Sequence, residues 1–268
     1  MLLSVRHVTK YAYEPAAVRA ALRLKLFPGQ TRSQAPIGWS VTINGQPPST
    51  PIINSYGDRE AIWLTQGETS EIEIIAEGKV ETSDSNGVLG DLPMAARAPM
   101  FMRKTDLTAS DEAIVRLADE TSGEAGLARA HALSALVRER VDYSPGETEA
   151  ATTAAEALAK GVGVCQDHAH ILIAAARAAS LPARYVAGYL LTDEGEAAET
   201  ETHAWAELWL DGLGWVGFDP ANEVCPTDRY VRLASGLDAA DAAPIKGAVV
   251  GEAEETLTAE VQVAEAAQ

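Results

Sequence analysis

Cys165 has the clearest chemical potential in this sequence, because of the segment in which it lies. It follows the segment GVGV at 161–164 and is the first residue of a helix predicted over 165–179. A helix N-terminus presents unpaired N–H groups and about half a positive charge, and both favour a thiolate over a thiol. The position therefore predicts a cysteine nucleophile. The alternative is a small buried cysteine without reactivity, which is the usual state of a free thiol.

His203 and Asp219 are the candidates for a general base and for the carboxylate that orients it. His203 begins a strand predicted over 203–210, and Asp219 ends the strand that begins at residue 215. The segment DGLG at 211–214 predicts a hairpin, which would bring the two side chains nearly opposite each other. Cβ atoms of opposed residues lie about 5 Å apart, so the carboxylate can fix the imidazole tautomer. The ordinary alternatives are a structural histidine at a strand edge and an Asp-Pro turn.

The first 82 residues have the pattern of an all-β domain. Strands are predicted where β-branched and alternating apolar residues occur between turn residues: 2–13, 18–27, 37–43, 60–64 and 71–80. Asn44-Gly45 is a strong hairpin signal, and Pro28-Gly29 ends the second strand. Several short strands of this kind predict an N-terminal β-sandwich over residues 1–82.

Residues 83–268 are predicted to form a second domain, in which helices come before strands. After an irregular connection at 83–107, helical spacing begins behind Thr108 and Asp111 and continues at 127–141, 151–159 and 165–179. The period then changes to two, which predicts strands at 183–191, 203–210, 215–218 and 256–263. The fold class expected for the whole chain is α+β.

Composition limits the partners of the protein. The 21 basic and 39 acidic residues give a formal net charge of −18, which disfavours nucleic acid and anionic membranes. No apolar run approaches the ~20 residues that span a bilayer, and the first residues do not resemble a signal peptide, so a cytoplasmic protein is expected. The second cysteine, Cys225, is interpreted as non-catalytic. Neither cysteine has the spacing of a disulfide framework or a zinc site, so no metal or cofactor is expected.

Residues 150–222 resemble the core of the transglutaminase-like superfamily. The similar segments are GVGVCQDHAH (161–170), LPARYVAGY (181–189), THAWAE (202–207) and GWVGFDP (214–220). The N-terminal part is similar to the β domain that precedes this core in bacterial members, at YAYEP (11–15) and LRL (22–24). The resemblance implies a papain-like core, in which the helix that carries the nucleophile packs on an antiparallel sheet.

The resemblance also implies a mechanism for the three candidate residues. Cys165 would be the nucleophile, His203 the general base and later acid, and Asp219 the residue that orients the imidazole. The implied reaction is acyl transfer on an amide through a thioester, with a protein or peptide as the substrate. We favour hydrolysis, because many bacterial relatives look like peptidases and nothing in the sequence suggests an amine site. The alternatives are a protein-glutamine transglutaminase and a catalytically silent binding scaffold.

Five further residues are candidates for the wall of the cleft or for oxyanion support. The resemblance places Gln166, Asp167 and His170 beside the nucleophile, and Asp167 also lies in the first helical turn, where a carboxylate suits the helix dipole. Trp205 shares a strand face with the candidate histidine and could shield it from water. Tyr143 is a candidate oxyanion donor or cleft wall, with a core tyrosine as the alternative.

Overall fold

The computed structural model describes residues 1–90, 92, 96–192 and 202–266. The first elements in the chain are the strands β1 (Leu2–Ala17), β2 (Arg19–Phe27), β3 (Gln34–Ile43), β4 (Ile52–Ile53), β5 (Arg59–Leu64), β6 (Thr69–Thr82) and β7 (Val88–Gly90). After a short 3₁₀ helix follow α1 (Glu112–Asp119), α2 (Gly126–Arg140), β8 (Asp142–Tyr143), α3 (Ala154–Lys160), β9 (Val162–Gly163), α4 (Cys165–Ala178) and β10 (Ala183–Leu190). The last elements are β11 (His203–Leu210), β12 (Gly214–Phe218), β13 (Tyr230–Gly236), α5 (Ala239–Ala242), β14 (Ile245–Val250) and β15 (Glu254–Glu265). These elements confirm the α+β class.

Two antiparallel sheets form the β-sandwich predicted for the N-terminal half. One has the strand order β15-β1-β6-β3, and the other has the order β14-β2-β5-β4. Alternate residues of β1, β2 and β6 point inward, as a strand period of two requires, and they form one apolar core with Leu3, Leu24 and Ile74 at its centre.

The sandwich also includes the C-terminal strands β14 and β15. The sequence analysis instead assigns these residues to the second domain of 83–268. β15 pairs with β1 from Leu3↔Glu265 to Glu14↔Glu254, and β14 pairs with β2. The alternation at 256–263 predicts a strand but not its partner, because pairing across most of the chain depends on tertiary packing. The division of the chain at residues 82 and 83 remains a prediction.

A five-stranded antiparallel sheet forms the middle layer of the second half, in the order β13-β10-β11-β12-β7. α4 packs on β10 and β11 and is also in contact with α1, α2 and α3, so nearly all its residues after the first turn are buried. The opposite face of the sheet packs on the sandwich through Tyr189, Val231 and Leu233. The helix-on-sheet arrangement is the one expected. Within the described residues, none of the helices is long and apolar enough to cross a lipid bilayer.

Candidate active site

Cys165 is the first residue of α4 and is half-buried. The turn before it is tight, because a Cβ added at Gly163 would lie 2.7 Å from the Cβ of Asp167. Asp167 stabilises the helix start, since its Oδ2 accepts hydrogen bonds from the N–H of Val164 at 2.8 Å and from the hydroxyl of Thr148 at 2.7 Å. The local sequence therefore fixes the sulfur at the positive end of a helix whose remaining length lies in the core.

His203 and Asp219 are in direct contact, with 2.6 Å between Nε2 of the ring and Oδ2 of the carboxylate. They are not opposed in the ladder, however. Ala206 pairs with Phe218, so the register places Asp219 opposite Trp205 and His203 reaches the carboxylate diagonally. Diagonal neighbours on antiparallel strands remain within reach of long side chains, which explains why the expected contact forms in a different register.

The imidazole of His203 also forms a side-chain hydrogen bond with Cys165. Burial lowers the pKa of His203, but the hydrogen bonds with Asp219 and Cys165 and the attraction of these groups raise it to about 10. At neutral pH the ring is therefore an imidazolium between a sulfur and a carboxylate. Such a cation stabilises an anionic sulfur.

Asp219 is fully buried, yet it remains ionised. Burial raises the pKa of this carboxyl, but hydrogen bonds from His203, Asn222 and Tyr230 outweigh that effect and lower it. The Nδ2 of Asn222 and the hydroxyl of Tyr230 donate to Oδ2 at 2.7 and 2.8 Å, and the backbone N–H of Asn222 reaches Oδ1 at 3.3 Å.

Sequence reasoning missed both Asn222 and Tyr230. Asn222 follows Asp219 by three residues, and this turn spacing was an available signal because aspartate often accepts from backbone groups just after it. Tyr230 begins β13, a strand that was not predicted, so no pattern connected it with the carboxylate.

Trp205 and Tyr143 lie in different environments. Trp205 is buried and fills the space over Gly188, where a Cβ would lie 2.5 Å from its ring, and it stacks on His203 with ring centroids 6.2 Å apart. It therefore covers one side of the imidazole, and its part in excluding water stays a prediction. Tyr143 is 48% exposed and lies on β8, which pairs with β9 just before the nucleophile. Its position suits a wall of the cleft better than a core tyrosine.

The residues that follow the nucleophile in α4 have separate surroundings. Gln166 donates from its amide to the carbonyl of Ala150 at 3.2 Å. His170 is fully buried and accepts from the N–H of Ala239 at 3.0 Å, while burial lowers its pKa to about 4. A residue five positions after Cys165 lies about 140° around the helix axis, so His170 points into the core rather than into the cleft.

His168 is fully buried in α4, three residues after the nucleophile. Its two ring nitrogens lie 2.9 Å from the carbonyl oxygens of Val164 and Val141, so it joins the start of α4 to the end of α2. Among the residues that the structure describes, no cluster of three His, Cys, Asp or Glu side chains is placed to hold a metal ion.

Comparison with protein families gives two matches that together span most of the chain. Residues 115–220 match the core of the transglutaminase-like superfamily, and residues 3–81 match the bacterial transglutaminase-like N-terminal region. The first match contains the three residues of the sulfur, imidazole and carboxylate series. The second match covers β1 to β6 apart from the last residue of β6 and the first of β1.

Individual proteins are similar to this chain over different lengths. An uncharacterized protein of Mycobacterium leprae is 28% identical over 97% of this chain and 98% of its own. A protein-glutamine gamma-glutamyltransferase of Pseudomonas aeruginosa is 34% identical over 84 residues, which are 29% of this chain and 12% of that protein. The crystal structure of a candidate cysteine protease from Cytophaga hutchinsonii has a TM-score of 0.77 at 24% identity, covering 100% of this chain and 91% of the other. This last likeness shows the fold.

Proposed function

Because this chain belongs to the transglutaminase-like superfamily, we propose that it is a cysteine hydrolase that cleaves an amide bond of a protein or peptide through a thioester. The observation that supports this most directly is the unbroken series of contacts from the sulfur of Cys165 through His203 to Asp219. A nucleophile, a proton carrier and an orienting carboxylate in contact are what acyl transfer by a triad requires.

The acylation step uses the groups in that order. The Cys165 thiolate attacks the amide carbonyl, a C–S bond forms, and the carbonyl oxygen becomes an oxyanion. The backbone N–H of Cys165 has no partner within the helix, so it is free to donate to that oxyanion. One such donor lowers the barrier by about 3–4 kcal/mol. His203 then gives its Nδ1 proton to the leaving nitrogen, the C–N bond breaks, and a thioester remains.

Water completes the reaction. The Nδ1 of His203 is now unprotonated and accepts a proton from a water molecule, whose oxygen attacks the thioester carbonyl. The C–S bond breaks, a carboxylic acid leaves, and the sulfur returns to its anionic form. Asp219 keeps Nε2 protonated throughout, so that the tautomer is correct in both steps. Gln166 and Tyr143 are proposed to line the cleft for the substrate.

Amine transfer is the second candidate, and the similarity to the Pseudomonas aeruginosa gamma-glutamyltransferase favours it. The first half-reaction would be the same, and a primary amine would take the place of water. The two candidates differ only in the acceptor, so a single protein sample can separate them.

The test compares the wild type with Cys165→Ala and with Cys225→Ala as the matched control. Each protein is incubated with a peptide library and, separately, with a labelled primary amine and a glutamine-containing protein. Hydrolysis predicts cleaved peptides from the wild type and Cys225→Ala only. Incorporation of the amine that depends on Cys165 would instead indicate transglutaminase activity. Wild type without cleavage or incorporation would support the silent scaffold.

A further inference from the structure

One carboxylate oxygen in the site accepts three hydrogen bonds. The Oδ2 of Asp219 is 2.6 Å from Nε2 of His203, 2.7 Å from Nδ2 of Asn222 and 2.8 Å from the hydroxyl of Tyr230. A buried carboxylate without such donors becomes protonated or turns toward other partners. The two donors other than His203 therefore decide both the charge and the direction of this side chain.

The ring of Tyr230 is itself fixed in place. It is buried and packs edge-on against Trp205, with centroids 5.5 Å apart, and against His203 at 5.9 Å. Its hydroxyl can therefore approach the carboxylate from one direction only. Asn222 approaches from the loop after β12, and its side chain is exposed.

The β-sandwich holds the strand on which Tyr230 lies. Among the described strands, β13 lies at the edge of its sheet, so its outer backbone groups face no further strand there. At Arg232, the amide of Gln34 takes over this role: its Nε2 donates to the backbone oxygen at 2.8 Å, and its Oε1 accepts from the backbone N–H at 2.7 Å. Gln34 is buried and belongs to β3.

Buried charges add a second connection between the sandwich and β13. Asp58 lies between β4 and β5, and its Oδ1 is 3.0 Å from Nη1 of Arg232. Its Oδ2 accepts from the N–H of Ser235 at 2.8 Å. Arg232 also contacts Glu207 of β11 at 2.8 Å, so the strand that carries His203 is part of the same network.

We propose that Tyr230 and Asn222 are positioning residues that hold the Asp219 carboxylate against His203, and that the β-sandwich supports this function by fixing β13. The inference rests on the proposed function for its catalytic consequence. Its geometric part, the control of the carboxylate by two donors, does not depend on turnover.

The test uses Tyr230→Phe, Asn222→Ala and the matched control Tyr189→Phe in the full chain. Tyr189 is a buried tyrosine of β10 whose hydroxyl bonds to Nδ1 of His7 at 3.0 Å, so its loss removes a comparable hydrogen bond away from the site. Cleavage is followed as kcat and KM. The alkylation rate of Cys165 by iodoacetamide is measured against pH, which needs no substrate. Circular dichroism checks the fold of each variant.

We expect Tyr230→Phe and Asn222→Ala each to lower kcat by about tenfold or more, the factor that losing a hydrogen bond to a charged group produces, with KM unchanged. Fewer donors to the carboxylate raise its pKa, so Asp219 becomes protonated at a higher pH. The acid limb of the Cys165 alkylation profile should therefore move to higher pH in both variants. Among the described residues, the ionisable groups that interact with the triad include Tyr230, which contacts Asp219, and Tyr185, which lies near Cys165. The control should show neither change.

Gln34→Ala tests the part played by the sandwich. It should move the same acid limb in the same direction as Tyr230→Phe, and by less, while the fold is retained. An unshifted profile in Gln34→Ala would overturn this part of the proposal.

The outcomes separate this inference from the proposed function. Unchanged kcat and an unchanged pH profile in Tyr230→Phe and Asn222→Ala would refute the positioning role even if the wild type cleaves peptides. If neither the wild type nor the variants cleave peptides, but the alkylation profiles of the variants are shifted relative to the wild type, the positioning role is kept and hydrolysis is rejected. Because Asn222 is exposed, its variant is expected to fold even where Tyr230→Phe is destabilised.

Discussion

Replacing Asp219 by asparagine gives the sharpest test of the electrostatics at the site. Asparagine has nearly the same size but no charge. The pKa of His203 stands at about 10 against its ordinary 6.5, in spite of burial, because Asp219 and Cys165 stabilise the imidazolium. At ~1.36 kcal/mol per pKa unit this difference corresponds to about 5 kcal/mol. Asp219 contributes the larger share, so Asp219→Asn should lower the pKa of His203 by about 2 to 3.

The assay is an NMR titration of the histidine ring resonances, with His203 assigned from the signal missing in His203→Gln. The companion variant Cys165→Ala should lower the same pKa by a smaller amount, because the sulfur is the weaker of the two influences. If the titration curve of His203 were the same in Asp219→Asn as in the wild type, the account in which Asp219 holds the ring as an imidazolium would be refuted.

The same pKa difference makes stability depend on pH. Since the folded pKa of His203 lies above the unfolded value of 6.5, its contribution to the free energy of unfolding is complete below pH 6.5. It is lost as the pH rises from there to about 10. In Asp219→Asn the loss should be complete by roughly pH 8. Urea unfolding between pH 6 and pH 10 would measure both curves.

Three further outcomes are expected. Cys165 should react with iodoacetamide at mildly acidic pH much faster than Cys225, whose thiol pKa is raised by burial and by a nearby aspartate, as measured by mass spectrometry of the two peptides. Gly163→Ala should lower the free energy of unfolding by about 1–2 kcal/mol, because the added Cβ displaces the aspartate that caps α4. Glu207→Gln should cost about 3–5 kcal/mol in urea unfolding, because it leaves the buried Arg184 without its anion and Arg232 with Asp58 alone. The exposed Glu77→Gln should cost less than about 1 kcal/mol.

The sequence predicts the parts of this fold whose residues have a clear period. α4 begins at Cys165 as expected, because a helix-start segment and an apolar stripe coincide there. The hairpin of β11 and β12 also forms as expected, and Gly212 has the positive φ of 82° that such turns need. Residue types and spacing therefore predict that His203 and Asp219 lie close together, but not the diagonal register in which they meet.

The parts of the fold that the sequence does not predict are those in which full burial removes the alternation of polar and apolar residues. Every residue of β13 is buried, so the segment YVRLASG has no alternation and includes a charged and a polar residue that a strand pattern does not anticipate. Arg232 belongs there only because Asp58 and Glu207, both distant in sequence, neutralise it. The local pattern of polar and apolar residues does not identify partners that are distant in sequence. For the same reason Tyr230 could not be connected with Asp219.

The buried network also bears on whether the sandwich and the core unfold separately. Asp58 and Lys25 of the sandwich and Arg232 of the core are all buried at their contact, and separating the halves would leave these charges without partners. Breaking a buried pair typically costs about 3–5 kcal/mol. β14 and β15 moreover return from the core to the sandwich, so the chain crosses between the halves twice. We therefore expect a single urea transition by both tryptophan fluorescence and circular dichroism, and two separate transitions would contradict this coupling.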